Sequence, residues 1–298
     1  GDHRDLHLSI RRQRQMCIRD RAISYQALQN YDSAKSQLLA AESNCNQVFG
    51  MNSIAYLQLS KIQAKLHREL GDLNQCENIL TNAIKIAKEN NLVHSIAYHN
   101  IVCSLASLYN SFGKREIAET LAMEAKANFE SNTMTHGPEY IQCLEILSTI
   151  YYNEKRWDEA EVLLIKSNVL RQQLHGLSHY SIAENLSRLG SLYLMKEQYA
   201  KAESLYIKAI SLSKINAHEM KFPFISINLG LLYTRTGQYE KAEKTLLQVK
   251  NYYETHFGNY NKTYLWILDN LAELYTLSLI HISEPTRRTP ISYAVFCL

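Results

Sequence analysis

The sequence predicts an all-α fold, an α-solenoid of stacked antiparallel helix pairs, and three observations lead to this prediction. Small residues recur along most of the chain, at Ala34, Cys76, Ala118, Ala160, Ala202 and Ala242. These positions are 42, 42, 42, 42 and 40 residues apart. A second column lies nine residues earlier in each unit and holds Tyr25, His67, Tyr109, Tyr151, Tyr193, Tyr233 and then Tyr275. Two columns with one period indicate a tandem array.

The third observation is that each unit contains two amphipathic stretches. In IAENLSRLGSLYLM and AKAESLYIKAISL, apolar residues recur at three- and four-residue steps and so form one stripe on a helix. Short breaks such as FGK and TGQ separate the two stretches, and their glycines suit the positive φ at which helices end. One such hairpin cannot bury its own stripe, so neighbouring hairpins must stack to form a continuous core.

The repeat places the helices in order along the chain. The first helices of the hairpins are predicted at about 52–70, 93–112, 137–154, 178–196, 218–236 and 260–276. The second helices are predicted at about 31–47, 73–89, 115–131, 157–174, 199–215 and 239–256. A partial first helix, AISYQALQ, precedes them. Neither end has the polar capping helix that arrays need for solubility, so we expect an array cut from a longer one.

The stretch NLGLLYTRTGQYEKAE resembles a tetratricopeptide repeat, and its columns recur in RLGSLYLMKEQYAKAE and CSLASLYNSFGKREIAE. The 42-residue period and the stretch RQQLHGLSHYSIAENLSRLGSLY resemble the kinesin-light-chain subtype. This resemblance implies a right-handed superhelix. The sequence departs from the family pattern at Leu73, Cys76 and Arg115. It also departs in the link near Asn90, which lacks a glycine. These departures concern the geometry of the first two junctions.

Both ends of the chain differ from the repeat. Residues 1–21, with MCIRDR, and 277–298, with LSLIHISEPTR and ISYAVFCL, resemble translated sequencing-library adapters. The sequence therefore predicts adapter-derived ends around a solenoid of about six repeats with truncated ends at 22–276. The two ends hold eight of the 32 Lys and Arg and four of the 29 Asp and Glu, leaving 24 basic and 25 acidic residues. We therefore expect no nucleic-acid partner, and the apolar tail is too short for a membrane span.

Residues 22–276 contain no motif typical of an enzyme or a metal site. His175 and His179 are four residues apart, but Gly176 interrupts the helix that would align them, and further ligands are missing nearby. His99 and Cys103, one turn apart, are interpreted as a core or groove pair. Four cysteines lie in apolar-periodic stretches and are expected to be buried thiols, namely Cys45, Cys76, Cys103 and Cys143. We expect a non-enzymatic protein without cofactor or metal, and the cysteine usage suits a cytoplasmic location.

The tetratricopeptide resemblance implies that one stripe of each first helix lines a concave groove. Counting from the tyrosine column predicts these peptide contacts: Gln58, Lys61, Lys65, Arg68, Asn100, Asn110, Gln142, Glu145, Asn153, Glu184, Asp269 and Glu273. The same stripe also contains Cys103, Ser107, Thr149, Ser187, Ser191, Ile227, Leu231, Thr234, Arg235 and Trp266. Its charge changes from three cations in the first full repeat to carboxylates further along. Such amides and charges can bind and orient an extended peptide, although solvated helix faces also carry charges.

Three functions remain open at this point. The leading hypothesis is a protein–protein interaction scaffold that binds a peptide or a partner helix in the groove. The alternative is a regulatory or docking arm of a larger enzyme. Arrays of this period resemble those joined to CHAT-type proteases, to histidine kinases or to motor subunits. The third possibility is a structural spacer without a ligand. The expected partner is a protein or peptide, and the oligomeric state is left open.

Overall fold

The computed structural model describes residues 31–176, 180–215, 222–256 and 262–283. These residues form helices and turns without a strand, which confirms the predicted all-α fold. None of the described helices is long and apolar enough to cross a bilayer. The partial helix AISYQALQ and residues 1–21 lie outside the described part, as do residues 284–298. The adapter origin of the two ends therefore stays a prediction.

Twelve helices follow one another in the described residues. The second helices of the hairpins are α1 Tyr31–Val48, α3 Leu73–Glu89, α5 Arg115–Ser131, α7 Trp157–His175, α9 Tyr199–Ile215 and α11 Tyr239–His256. The first helices are α2 Ile54–Glu69, α4 Ile96–Ser111, α6 Pro138–Asn153, α8 Tyr180–Met195, α10 Phe222–Arg235 and α12 Lys262–Ser283. Every second helix ends within one residue of its predicted position, whereas α12 continues seven residues beyond the predicted end.

Capping side chains explain why the first helices begin later than predicted. Ser53 accepts a hydrogen bond from the backbone N–H of Tyr56 at 3.3 Å, so α2 begins at Ile54. Ser95 does the same for Tyr98 at 3.2 Å and starts α4 at Ile96. Such oxygens satisfy N–H groups that have no partner inside the helix. The cap residue, and not the first apolar residue, therefore sets the start of α2 and of α4.

The turn inside each hairpin requires one left-handed residue, four positions after the tyrosine column. The residues with positive φ at this position are Gly71, Gly113, Lys155, Glu197 and Gly237. The next N–H then donates back to the column residue, as from Gln198 to the Tyr193 carbonyl at 2.9 Å. This is the bond that closes a Schellman-type helix end. In the link that lacks a glycine, Asn91 takes the left-handed conformation at φ 56°.

Replacing Glu197 with glycine should stabilise the protein by about 0.5–1 kcal/mol. Glu197 has φ 58°, where a side chain costs about 1–2 kcal/mol, and the greater freedom of unfolded glycine offsets part of that gain. Urea unfolding followed by circular dichroism measures the change. Lys196→Gly is the matched control, because Lys196 directly follows α8 without a positive φ, and this change should not stabilise. An unchanged midpoint for Glu197→Gly would show that the turn carries no strain.

The helices form two compact units, residues 1–163 and 164–298, and the boundary falls within α7. In the first unit, α4 packs against its hairpin partner α5, the preceding second helix α3, and the neighbouring first helices α2 and α6. In the second unit, α10 has the same four kinds of neighbour, namely α11, α9, α8 and α12. First helices therefore lie side by side in each unit, as a stack of hairpins requires.

The two sequence columns are contact positions between these helices. All six small residues of the first column are fully buried. Two tyrosines of the second column donate to the glutamate that follows the small residue of the preceding repeat. Tyr233 Oη donates to Glu203 Oε1 at 2.9 Å, and Tyr275 Oη donates to Glu243 Oε1 at 2.8 Å. These bonds join consecutive repeats, in addition to the ring packing that the sequence predicted.

Candidate peptide-binding surfaces

The first surface is the first-helix face of unit one, defined as the side chains on α2, α4 and α6 that point away from the second helices. Lys61 on α2 donates from Nζ to Gln142 Oε1 on α6 at 3.1 Å. Cys103 on α4 lies close to the same amine, as do Glu139 and Lys65. Burial lowers the pKa of Lys61, and its neighbour Lys65 lowers it further, while Cys103 and Glu139 act in the opposite direction.

Two predicted asparagines meet on the same face. Asn153 Nδ2 on α6 donates to Asn110 Oδ1 on α4 at 3.2 Å. This bond occupies one of the two amide hydrogens of Asn153 and one lone pair of Asn110. The pair therefore keeps donor and acceptor capacity for a second group. Two hydrogen bonds therefore join predicted stripe residues of different repeats, one between Lys61 and Gln142 and one between Asn153 and Asn110.

Other predicted residues differ in exposure. Gln58, Lys65 and Arg68 are exposed, and Lys65 Nζ lies 3.7 Å from Glu69 Oε1. Glu145 is only 7% exposed, and Cys103 is buried as well. These two residues occupy the same position of the repeat as Lys61, six before the tyrosine column. Lys61 itself is only partly buried, so among these three residues it alone contributes open surface to the face.

The four cysteines of the described residues are buried free thiols. Cys103 shares a hydrogen bond with Cys143 on the neighbouring first helix, and this bond and burial raise the pKa of Cys103. Such thiols are poor nucleophiles, because the reactive form is the thiolate. His99 is 1% exposed, and its ring lies 5.3 Å from that of Phe129. Of the two interpretations of His99 and Cys103, a core pair or a groove pair, their burial therefore favours the core.

Metal-binding geometry is missing from the part of the chain that the structure describes. Within it, no three His, Cys, Asp or Glu side chains converge as metal ligands. His179 lies outside the described residues, so the pair with His175 is not placed.

The second surface is the first-helix face of unit two, formed by α8, α10 and α12. Glu184 on α8 pairs with Arg188, with Oε1 3.2 Å from Nη2. Ser191 accepts hydrogen bonds from Tyr206 Oη at 3.0 Å and from Asn228 Nδ2 at 3.5 Å. Two other predicted members of the stripe, Ile227 and Thr234, are buried. Neighbouring first helices cover them, so they do not line this face.

Two aromatic side chains stand on this second surface. Trp266 on α12 was part of the predicted stripe, whereas Phe224 on α10 was not. Phe224 lies 42 residues before Trp266, at the same position of the repeat. Their ring centroids are 6.4 Å apart with an interplanar angle of 37°. The shared repeat position was the sequence signal that could have identified Phe224.

The stacked helix pairs define the chain as a helical-repeat protein. Residues 140–215 and 225–256 match models of the tetratricopeptide repeat. The chain therefore carries tetratricopeptide repeats, as the sequence resemblance implied. No curated protein matches the sequence.

Solved structures with the same fold include kinesin-light-chain-like proteins. BtubC (BKLC) from P. vanneervenii has a TM-score of 0.58 and 19% identity, with 82% of this chain and 94% of that chain covered. A putative kinesin light chain from Podosopora anserina, with nearly identical TPR-like repeats, has a TM-score of 0.56 and 17% identity, covering 69% and 99%. A Rap protein complexed with Competence and Sporulation Factor has a TM-score of 0.64 and 15% identity, covering 96% and 80%. At these identities the similarity establishes the fold.

Proposed function

We propose that this protein is a non-enzymatic interaction scaffold that binds an extended, acidic peptide on the first-helix face of unit one. The observation that carries the proposal is the position of Lys61. Its amine is held between three first helices by the bond to Gln142, close to Cys103. A partly buried cation loses hydration, and a carboxylate of a ligand would restore a favourable environment.

The asparagine pair supports an extended ligand. Asn110 and Asn153 bridge neighbouring repeats on the face that also carries Lys61. Their remaining amide groups can donate to and accept from a peptide backbone, which is how polar side chains bind extended chains without reading their sequence. Lys65 and Arg68 on α2 add exposed positive charge at one end of the face. That charge would fix the direction of an acidic peptide.

The comparisons are consistent with this proposal. A Rap protein of the same fold has been solved in complex with Competence and Sporulation Factor. A binding role on a tetratricopeptide fold is therefore physically reasonable for this chain. The choice of peptide-contact residues depends on the contacts of Lys61 and of the asparagine pair, and not on the similarity to the Rap protein.

A selection of random short peptides displayed on phage, followed by fluorescence anisotropy with the enriched peptides, tests the proposal. We expect acidic peptides to be enriched. The triple variant Lys61→Gln, Lys65→Gln, Arg68→Gln should weaken their binding at least about tenfold, because charge-assisted hydrogen bonds are lost. The matched control changes Lys85 and Lys88 on the second helix α3 to glutamine, which removes cations away from the face and should leave the affinity unchanged.

Two results would contradict the proposal. Equal peptide affinity of the wild type and the triple variant would show that the peptide does not bind on the first-helix face of unit one. A selection without enrichment would instead favour the structural spacer, since a spacer needs no ligand. Circular dichroism of each variant verifies that the helices are intact before the affinities are compared.

A further inference from the structure

The aromatic pair of unit two is open to solvent. Phe224 is 46% exposed and Trp266 is 37% exposed, although both are large apolar side chains. At the same repeat position the earlier first helices carry polar residues, namely Gln58, Asn100, Gln142 and Glu184. The change from polar to aromatic is therefore confined to α10 and α12. Exposed aromatic residues that lie next to each other are typical of contact surfaces.

Carboxylates accompany the aromatic pair on α12. Asp269 and Glu273 follow Trp266 by three and seven residues, so the three side chains share one face of the helix. Both carboxylates are in exposed residues. Leu265 and Leu268, beside this face, are exposed too. The surface therefore combines aromatic rings, aliphatic groups and negative charge, and the charge selects against acidic ligands.

Elsewhere in the protein, aromatic rings of the repeat are covered by cationic side chains. Four tyrosines of the second column each have a cation over the ring: Lys114 over Tyr109, Arg156 over Tyr151, Lys201 over Tyr193 and Lys241 over Tyr233. The distances to the ring centroids run from 4.0 Å for Arg156 to 5.4 Å for Lys241. Among the described residues, no lysine or arginine lies over Phe224 or Trp266.

We propose that Phe224, Trp266, Asp269 and Glu273 form a second binding surface, which takes an arginine side chain from a basic, aliphatic segment of a partner protein. The guanidinium group lies against the indole face and is neutralised by the two carboxylates. Arginine fits better than lysine because its planar, weakly hydrated group stacks on aromatic rings and forms paired hydrogen bonds with carboxylates. The exposed leucines of α12 cover the aliphatic neighbours of the arginine.

This surface is independent of the acidic-peptide surface proposed above. It uses residues of α10 and α12, whereas the other uses residues of α2, α4 and α6. It also selects the opposite charge. The failure of one proposal therefore leaves the other intact.

Tryptophan fluorescence of the full-length chain tests the inference. Trp157→Tyr leaves Trp266 as the only tryptophan, and Tyr199 and Tyr239 occupy the same repeat position as Trp157, so the change should be tolerated. The probe is acetyl-Gly-Leu-Arg-Leu-Gly-amide. Its control replaces arginine with citrulline, which has the same shape without the charge. We expect saturable quenching with the arginine peptide and about tenfold weaker binding of the citrulline peptide.

Variants separate the contributions. Asp269→Asn with Glu273→Gln should remove the preference for arginine, and Phe224→Leu should weaken the arginine peptide several-fold while preserving an apolar side chain. Lys61→Gln should have no effect on this binding. Equal affinity for the two peptides, or no saturable change up to about 1 mM peptide, would overturn the inference. A loss of binding in Lys61→Gln would overturn the independence of the two surfaces.

Discussion

Replacing Gly190 with alanine should destabilise the protein by up to about 2 kcal/mol, although alanine is the better helix former. A Cβ at Gly190 would lie 2.7 Å from Tyr206 Cε1 and 2.9 Å from its Cδ1, which is closer than carbon atoms can pack. Tyr206 is fully buried, and its hydroxyl is held by Ser191. Overpacking of this kind costs about 1–3 kcal/mol, while the gain in helix propensity is about 1 kcal/mol.

A second substitution should rescue the first. The positions that correspond to Gly190 and Tyr206 in the first unit hold Ala64 and Leu80, and both are buried. Tyr206→Leu alone should lose about 2 kcal/mol through the empty space and the lost hydroxyl bond. Adding Gly190→Ala to it should cost nothing further, because the new methyl group fills that space. The coupling energy in the double-mutant cycle then equals the cost of Gly190→Ala in the wild type, up to about 2 kcal/mol.

Urea unfolding followed by circular dichroism measures all four proteins of this cycle. Ser204→Ala on the neighbouring helix α9 is the control, since it improves helix propensity at an exposed position without a clash. A stabilising Gly190→Ala, unaffected by Tyr206→Leu, would show that the ring moves aside freely. The approach of α8 to α9 would then not depend on glycine.

Helix positions could be read from the sequence because each small residue marks a fully buried contact. Ala160 and Ala202, for example, are both inaccessible to solvent, so a much larger side chain would separate the two helices of the hairpin. The starts of first helices were less accurate, because Ser53 and Ser95 act as caps inside the predicted range. The end of α12 was missed because residues 277–298 were assigned to an adapter-derived end, although no glycine or proline precedes Pro285 in that stretch.

The candidate surfaces were harder to predict than the fold. Counting along the helices placed Lys61 and Gln142 on one face, and the structure joins them across 81 residues of sequence. The same counting placed Glu145 on that face, but the folded protein buries it. Which repeat positions are covered depends on the distance between helices, and a periodic pattern carries no such distance.

Hydrogen bonds between side chains of different repeats could also not be predicted from the sequence pattern. The tyrosine column predicted buried rings, and Tyr151 and Tyr233 are buried. The bond of the Tyr233 hydroxyl to Glu203 was not predicted, because Glu203 lies 30 residues away and belongs to another repeat. Such pairs become visible only when the stacking of hairpins is known.

These tyrosine bonds should make the protein lose stability at high pH, and Tyr233 should contribute about 2–3 kcal/mol of that loss. Tyr233 is 7% exposed, and its hydroxyl donates to Glu203. Burial and this hydrogen bond raise the pKa of Tyr233 to about 12. In the unfolded chain the pKa of tyrosine is about 10, so the unfolded state loses its proton first as the pH rises. The contribution is therefore complete below pH 10 and disappears as the pH rises through about 12.

Tyr233→Phe isolates this contribution. At neutral pH the variant should be less stable than the wild type by about 1–2 kcal/mol, because the bond to the Glu203 carboxylate is lost. The advantage of the wild type should disappear as the pH rises from about 9 to 12, and the order of the two stabilities can reverse, since phenylalanine has no proton to lose. Urea unfolding at a series of pH values measures both curves.

Glu203→Gln, which retains an acceptor but removes the charge, should shift the loss of stability toward lower pH. A constant difference between wild type and Tyr233→Phe from pH 9 to 12 would mean that the folded protein does not retain this proton, and the tyrosine–glutamate bonds would then not hold consecutive repeats together.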